Sequence, residues 1–102
     1  ISGEVAVDSQ GKVVGAGNIE AQAVQVFENL KLALQGVGAT FDDVIKFTIY
    51  IVGLTQERRK AVMDVRGRYI SHKNPPAATM VGIDQLVQPE LLVEIEAVVA
   101  MD

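Results

Sequence analysis

Asn74-Pro75-Pro76-Ala77-Ala78-Thr79 and, further on, Val93-Glu94-Ile95-Glu96-Ala97-Val98 are the stretches that decide the fold. Proline fixes φ and has no backbone N–H, so a Pro-Pro pair belongs to a rigid turn just ahead of a strand. The second stretch alternates apolar and acidic residues, the period of a strand with one buried face. Glu94 and Glu96, two apart, therefore share the opposite face. The spacing predicts strands over 78–83 and 91–100, separated by a loop holding Pro89.

Upstream, 44–52 reads as the clearest strand. Ile45, Phe47, Ile49 and Ile51 fall on one face, and Val44, Lys46, Thr48, Tyr50 and Val52 on the other. Gly53 ends it. Thr55 is a candidate cap for a helix running to about Ile70, with Val62, Val65, Tyr69 and Ala61 as its buried stripe. His72 to Pro76 is a loop, with His72 expected to be exposed. Nearer the start, Asn18 caps a helix whose apolar positions are Ile19, Ala23, Val26, Phe27, Leu30, Ala33, Leu34 and Val37. Gly36 and Gly38 mark its end. Residues 1–7 read as a strand, 8–12 as a turn, and Val13-Val14 as a short strand or extended link.

The order is β(β)αβ–αββ, and two helices can cover only one face of such a sheet. Yet Tyr50 and Val52, and Leu92 and Val98, put apolar surface on the other face. An uncovered apolar face needs a partner, and self-association with closed symmetry is the simplest one.

The 102 residues make one domain over 1–102, burying about 65% of the unfolded surface. The chain opens on Ile1-Ser2-Gly3 inside a strand, which leaves room for a further N-terminal strand upstream. Hydrophobic residues are 49% and charged residues 22%, an ordinary globular balance. No apolar run reaches the ~18 residues of a membrane span, so no membrane partner is expected. The net charge of −4 disfavours a nucleic-acid surface, which relies on clustered Lys and Arg. There is no cysteine, which excludes disulfides, thiolate catalysis and Cys-zinc sites and is compatible with a cytoplasmic location. A lone His cannot build a His-based metal site. No metal or cofactor is expected. The glycines at 11, 15 and 17 are too scattered for a phosphate loop.

Taken together, Ser2-Gly3, Gln22, Asn29-Leu30, Asp43-Val44-Ile45-Lys46, Tyr69, Asn74-Pro75-Pro76-Ala77 and Glu94-Ile95-Glu96-Ala97 resemble the RidA/YjgF family of reactive-imine deaminases, also called the endoribonuclease L-PSP family. The resemblance spans nearly the whole chain. It implies an α/β (α+β) subunit like that of chorismate mutase, with a mixed sheet and two helices packed on one face. It also implies a homotrimer with a small-molecule ligand in a cleft between neighbouring subunits. In the deaminating members an Arg clamps the carboxylate of a 2-imino acid, a Glu on the last strand positions water, and backbone groups around a Ser-Gly pair hold the substrate. Matching positions make Glu94 the candidate catalytic residue. Ser2, Gly3, Ala77, Ala78 and Thr79 become the candidate substrate-binding residues.

Ala78 stands where the family has its Arg. A guanidinium grips a carboxylate through two parallel charged hydrogen bonds, which a methyl group cannot replace. The expected substrate is therefore an imine, enamine or related reactive metabolite without that carboxylate, unless another cation supplies the grip. Arg66 and Arg68 are the candidates. Each feature also has a plain structural reading. Glu94 and Glu96 suit a solvated strand edge or an interface ion pair, and Glu96 is read as structural. Arg58-Arg59-Lys60 suits a solvated helix face. Ser2 has no His-acid relay to make it a nucleophile. A non-catalytic small-molecule binding trimer is the alternative to the hydrolase. An RNA-cleaving protein is the third reading, disfavoured by the acidic balance.

Overall fold

The structure is a computed structural model that describes residues 1–71 and 73–101; His72 and its expected exposure lie outside the described residues. Helix α1 spans Ile19–Gly36, and its start follows from Asn18, whose side chain accepts a hydrogen bond from the Ala21 amide at 3.0 Å. Its buried stripe is Gln22, Ala23, Val26, Phe27, Leu30 and Leu34. Val37, placed on that stripe by spacing, is exposed, because it is the non-helical cap residue ahead of Gly38 at φ 75°.

Four strands form one sheet: β1 (Glu4–Val5), β2 (Val44–Val52), β3 (Ala77–Ile83) and β4 (Val93–Val99), in the spatial order β1-β4-β2-β3. The β2–β3 pair is parallel, so the chain must cross over between them, and helix α2 (Gln56–Arg66) is that crossover. β4 runs antiparallel to both β2 and β1. Helix α1 lies on β1 and β4, and α2 lies beside α1, so both helices share one face. Phe47, Ile49 and Ile51 of β2 and Val93, Ile95 and Ala97 of β4 are buried beneath them. The two-layer expectation and the mixed α+β sheet are both observed.

Four local expectations need correction. The register of β2 shifts between Val44 and Lys46, which makes Ile45 the extra residue of a β-bulge. Val44 is consequently buried and Ile45 is 53% exposed, the reverse of simple alternation. Helix α2 stops at Arg66 rather than near Ile70, with Gly67 as its C-cap residue in right-handed backbone. Turn bonds from Arg68, Tyr69 and Ile70 back to Val65 and Arg66 then keep that segment against the core. Tyr69 still stacks on Phe27, with ring centroids 5.1 Å apart, and donates to Glu28 at 2.7 Å. Burial, then the Glu28 bond, pushes its phenol up to about 12.

The strand expected over 1–7 is regular only at Glu4–Val5. Ile1 exchanges both backbone bonds with Ala97, whereas Glu4 pairs with Ile95. Ser2 and Gly3 together thus oppose the single residue Glu96, a second bulge. The last strand is also shorter than 91–100, and Val13 contributes only an isolated bridge to Val7.

Candidate functional site

The face of the sheet away from the helices carries the candidate chemistry. Register sets it out in two rows. Glu94 lies opposite Tyr50, which lies opposite Val81; Glu96 lies opposite Thr48, which lies opposite Thr79. Adjacent strands are about 4.8 Å apart, so each row spans about 10 Å. The Tyr50 hydroxyl reaches diagonally and donates to Glu96 Oε1 at 2.9 Å. That bond, then burial, then the charges of Glu96 and Glu94, holds the phenol above its ordinary range.

Glu94 is half-buried, and among the described residues it has no hydrogen-bond or ion-pair partner. Its side chain lies against Gly3. A Cβ built on Gly3 would overlap the carboxylate, with Glu94 Cδ only 2.6 Å away. The bulge at Ser2-Gly3 and the missing Cβ together make the room that Glu94 occupies. Two residues 91 positions apart in sequence are thus brought into contact.

Ser2 does not join that contact. It lines, with Ile1, Val37, Glu96, Val98 and Met101, a shallow depression of about 520 Å³ whose lining does not include Glu94. The segment 77–79 divides between the two faces. Ala77 and Thr79 pair with Lys46 and Thr48 on the Glu94 face, whereas Ala78 pairs with Phe47 and points to the helix side. One chain therefore does not bring the side chains of positions 78 and 94 together.

The two candidate replacement cations are elsewhere. Arg68 pairs with Glu20 of α1 at 2.9 Å, with both side chains more than half exposed, a contact worth at most about 1 kcal/mol. Arg66 lies on α2, on the opposite side of the sheet from Glu94, with its Nε buried and without a partner among the described residues. Arg58 donates to the Val52 carbonyl and Lys60 pairs with Asp64, so the basic run at the start of α2 takes its structural reading. Among the described residues, no group of His, Cys, Asp or Glu is placed to hold a metal ion.

Two site-supporting residues escaped the sequence reading. Gln22, noted only as a matching position, is wholly buried. Its Nε2 donates to the Gly15 carbonyl at 3.1 Å and the Glu90 carbonyl at 2.8 Å, and its Oε1 accepts from the Leu92 amide at 2.7 Å. It pins the entry to β4 two residues before Glu94. The available signal was a polar residue inside the apolar stripe of α1. Tyr50 was read only as apolar surface, because its bond to Glu96 depends on a cross-strand register that spacing within β2 cannot reveal.

Comparison with known proteins agrees with this fold. The family model described as endoribonuclease L-PSP matches residues 1–101. A RutC family protein of Synechocystis is 33% identical over 101 residues, covering 98% of this chain and 75% of the relative. A protein of Dermatophagoides farinae named 2-iminobutanoate/2-iminopropanoate deaminase is 28% identical over the full chain and covers 77% of that relative. Among solved structures, the Rid family protein YyfB of Yersinia pestis, described as of unknown function, superposes with a TM-score of 0.93. It is 36% identical and covers 99% of this chain and 76% of its own. The fold is thus that of the RidA/YjgF proteins. The chain belongs to the endoribonuclease L-PSP family.

Proposed function

We propose that this protein is a RidA-like small-molecule hydrolase of the deaminase type, acting on an imine, enamine or related reactive metabolite. The observation that carries the reading is the Glu94 carboxylate, without a partner among the described residues, for which Gly3 makes room. A free carboxylate is a competent acceptor for a proton of water. Water oxygen would add to the imine carbon while one of its protons moves to Glu94. That proton would then pass to the nitrogen, giving a carbinolamine; Glu94 would next take the hydroxyl proton and hand it to the nitrogen, so that the C–N bond breaks and ammonia and a carbonyl compound leave. The deaminase name of the mite relative supports the chemistry.

The site is built between neighbouring subunits of a homotrimer. The separation of positions 78 and 94 onto opposite faces supports this, because a second chain must complete any cleft that uses both. Ala78 makes 2-imino acids poor substrates, since it cannot grip their carboxylate. Losing one partner of a buried charged pair costs about 2–5 kcal/mol, enough to change substrate class.

The same Ala78 favours a second reading, a binding trimer without turnover. The deciding experiment is deamination of freshly generated 2-iminobutanoate, and of an uncharged aliphatic imine, by the wild type, Ala78→Arg and Glu94→Gln. The hydrolase reading expects turnover of the uncharged imine, its loss in Glu94→Gln, and a gain on 2-iminobutanoate in Ala78→Arg. Turnover that survives Glu94→Gln unchanged would remove Glu94 from the mechanism. No turnover by any variant, with imines that raise the melting temperature, would move the binding reading ahead.

A further inference from the structure

We propose that Tyr50 is the positioning residue of the Glu94 site: by giving its hydrogen to Glu96, it leaves Glu94 free and offers its own oxygen to the attacking water. The inference rests on the Glu94 reading above and adds a residue to it.

The register supplies the geometry. Tyr50 is the cross-strand partner of Glu94, yet its hydroxyl bonds diagonally to Glu96 at 2.9 Å. Such diagonal reach is ordinary for a long aromatic side chain. A phenol has one hydrogen to donate and lone pairs that accept. With the hydrogen spent on Glu96, the Tyr50 oxygen can only accept from a further partner. An ionised Glu94 is likewise acceptor-only. A molecule bridging Glu94 and Tyr50 must therefore offer two donors, and water does.

That arrangement orients the nucleophile. A water giving one hydrogen to Glu94 and the other to Tyr50 has both of its hydrogens engaged with the sheet. Its lone pairs then face away from the sheet, where an imine carbon would lie. Proton transfer to Glu94 leaves the hydroxyl still tethered to Tyr50. If the phenol bonded Glu94 instead, it would take up one of the carboxylate's acceptor sites and make the group a weaker base. Glu96 is thus the group that keeps Tyr50 off the base. The other titratable group on this face of β2 is Lys46, and β3 presents none.

The test begins with high-resolution crystal structures of the wild type and Tyr50→Phe, which keeps the ring and removes the oxygen. The wild type is expected to show an ordered water about 3 Å from both the Glu94 carboxylate and the Tyr50 oxygen. Tyr50→Phe is expected to lose it with the ring unmoved. On the uncharged imine, Tyr50→Phe should lower kcat about 10- to 100-fold with KM little changed, the size of effect expected of a misplaced reactant. A wild-type structure without the bridging water would overturn the proposal, whatever the substrate. So would full kcat in Tyr50→Phe alongside a dead Glu94→Gln, an outcome that leaves the Glu94 reading standing. Full kcat in Glu94→Gln would instead sink both.

Discussion

Gly3 has no side chain, and that is what places the Glu94 carboxylate. A Cβ there would displace the far end of a flexible side chain rather than backbone. Gly3→Ala is therefore expected to shift the melting temperature little. It should move the Glu94 carboxylate and lower kcat, which steady-state kinetics beside a thermal melt would separate. Unchanged kcat would mean that the close approach is incidental. Tyr69 gives a pH prediction. Its folded value of about 12 lies above the ordinary 10.0, so the protonated phenol is favoured in the native state. The stability it contributes is fully present below pH 10 and is lost as pH rises through about 12. Denaturation midpoints measured across that window should fall, and Tyr69→Phe should flatten the fall. Tyr50 and Lys60, both shifted in the same direction, add to the remaining slope.

Helix α1 does more than cover the sheet. From one face it sends Gln22 to the entry of β4 and Asn29 to the carbonyls of Val5 and Val7, both at 2.9 Å. It therefore ties down both strands that carry the Gly3–Glu94 contact. Gln22→Leu keeps the volume and removes three hydrogen bonds. It leaves the Leu92 amide and two carbonyls without that partner, so a loss of about 2–4 kcal/mol is expected in chemical denaturation. A loss under 1 kcal/mol would mean that water readily replaces the amide. The helices themselves were legible, because Asn18 and Thr55 cap them and their apolar stripes have the helical period. The exit of α2 was less so: the apolar period runs on through Tyr69 and Ile70, and those residues do pack inward, but in turns after Gly67. The Ile45 bulge was illegible, since an extra residue leaves the composition of a strand unchanged and alters only its pairing.

At the scale of the molecule, the helices leave one sheet face without a described cover. Val98 is 50% exposed there and Val81 37%. A homotrimer that buries this face is the expected assembly. The wild type should sediment at three chain masses. Val81→Asp with Val98→Asp should sediment as a monomer with its far-ultraviolet circular dichroism retained, because charges resist burial at an interface while both sites face away from the core. A wild type that is monomeric at micromolar concentration would count against both the trimer and the shared cleft.

Glu94 became a candidate only through the family resemblance, whereas apolar periodicity and cap residues were enough to reveal the two-layer α+β order and the uncovered face. Those features are local, and local geometry follows from residues a few positions apart. Which partner each outward residue meets came from register instead. The bulge opposite Glu96, the Gly3–Glu94 contact, the Tyr50–Glu96 bond and the turning of Ala78 to the helix side all depend on pairings between distant segments. A bulge of one extra residue moves the side chains beyond it to the other face without changing the composition of the strand, so only the pairing with the partner strand shows where it falls.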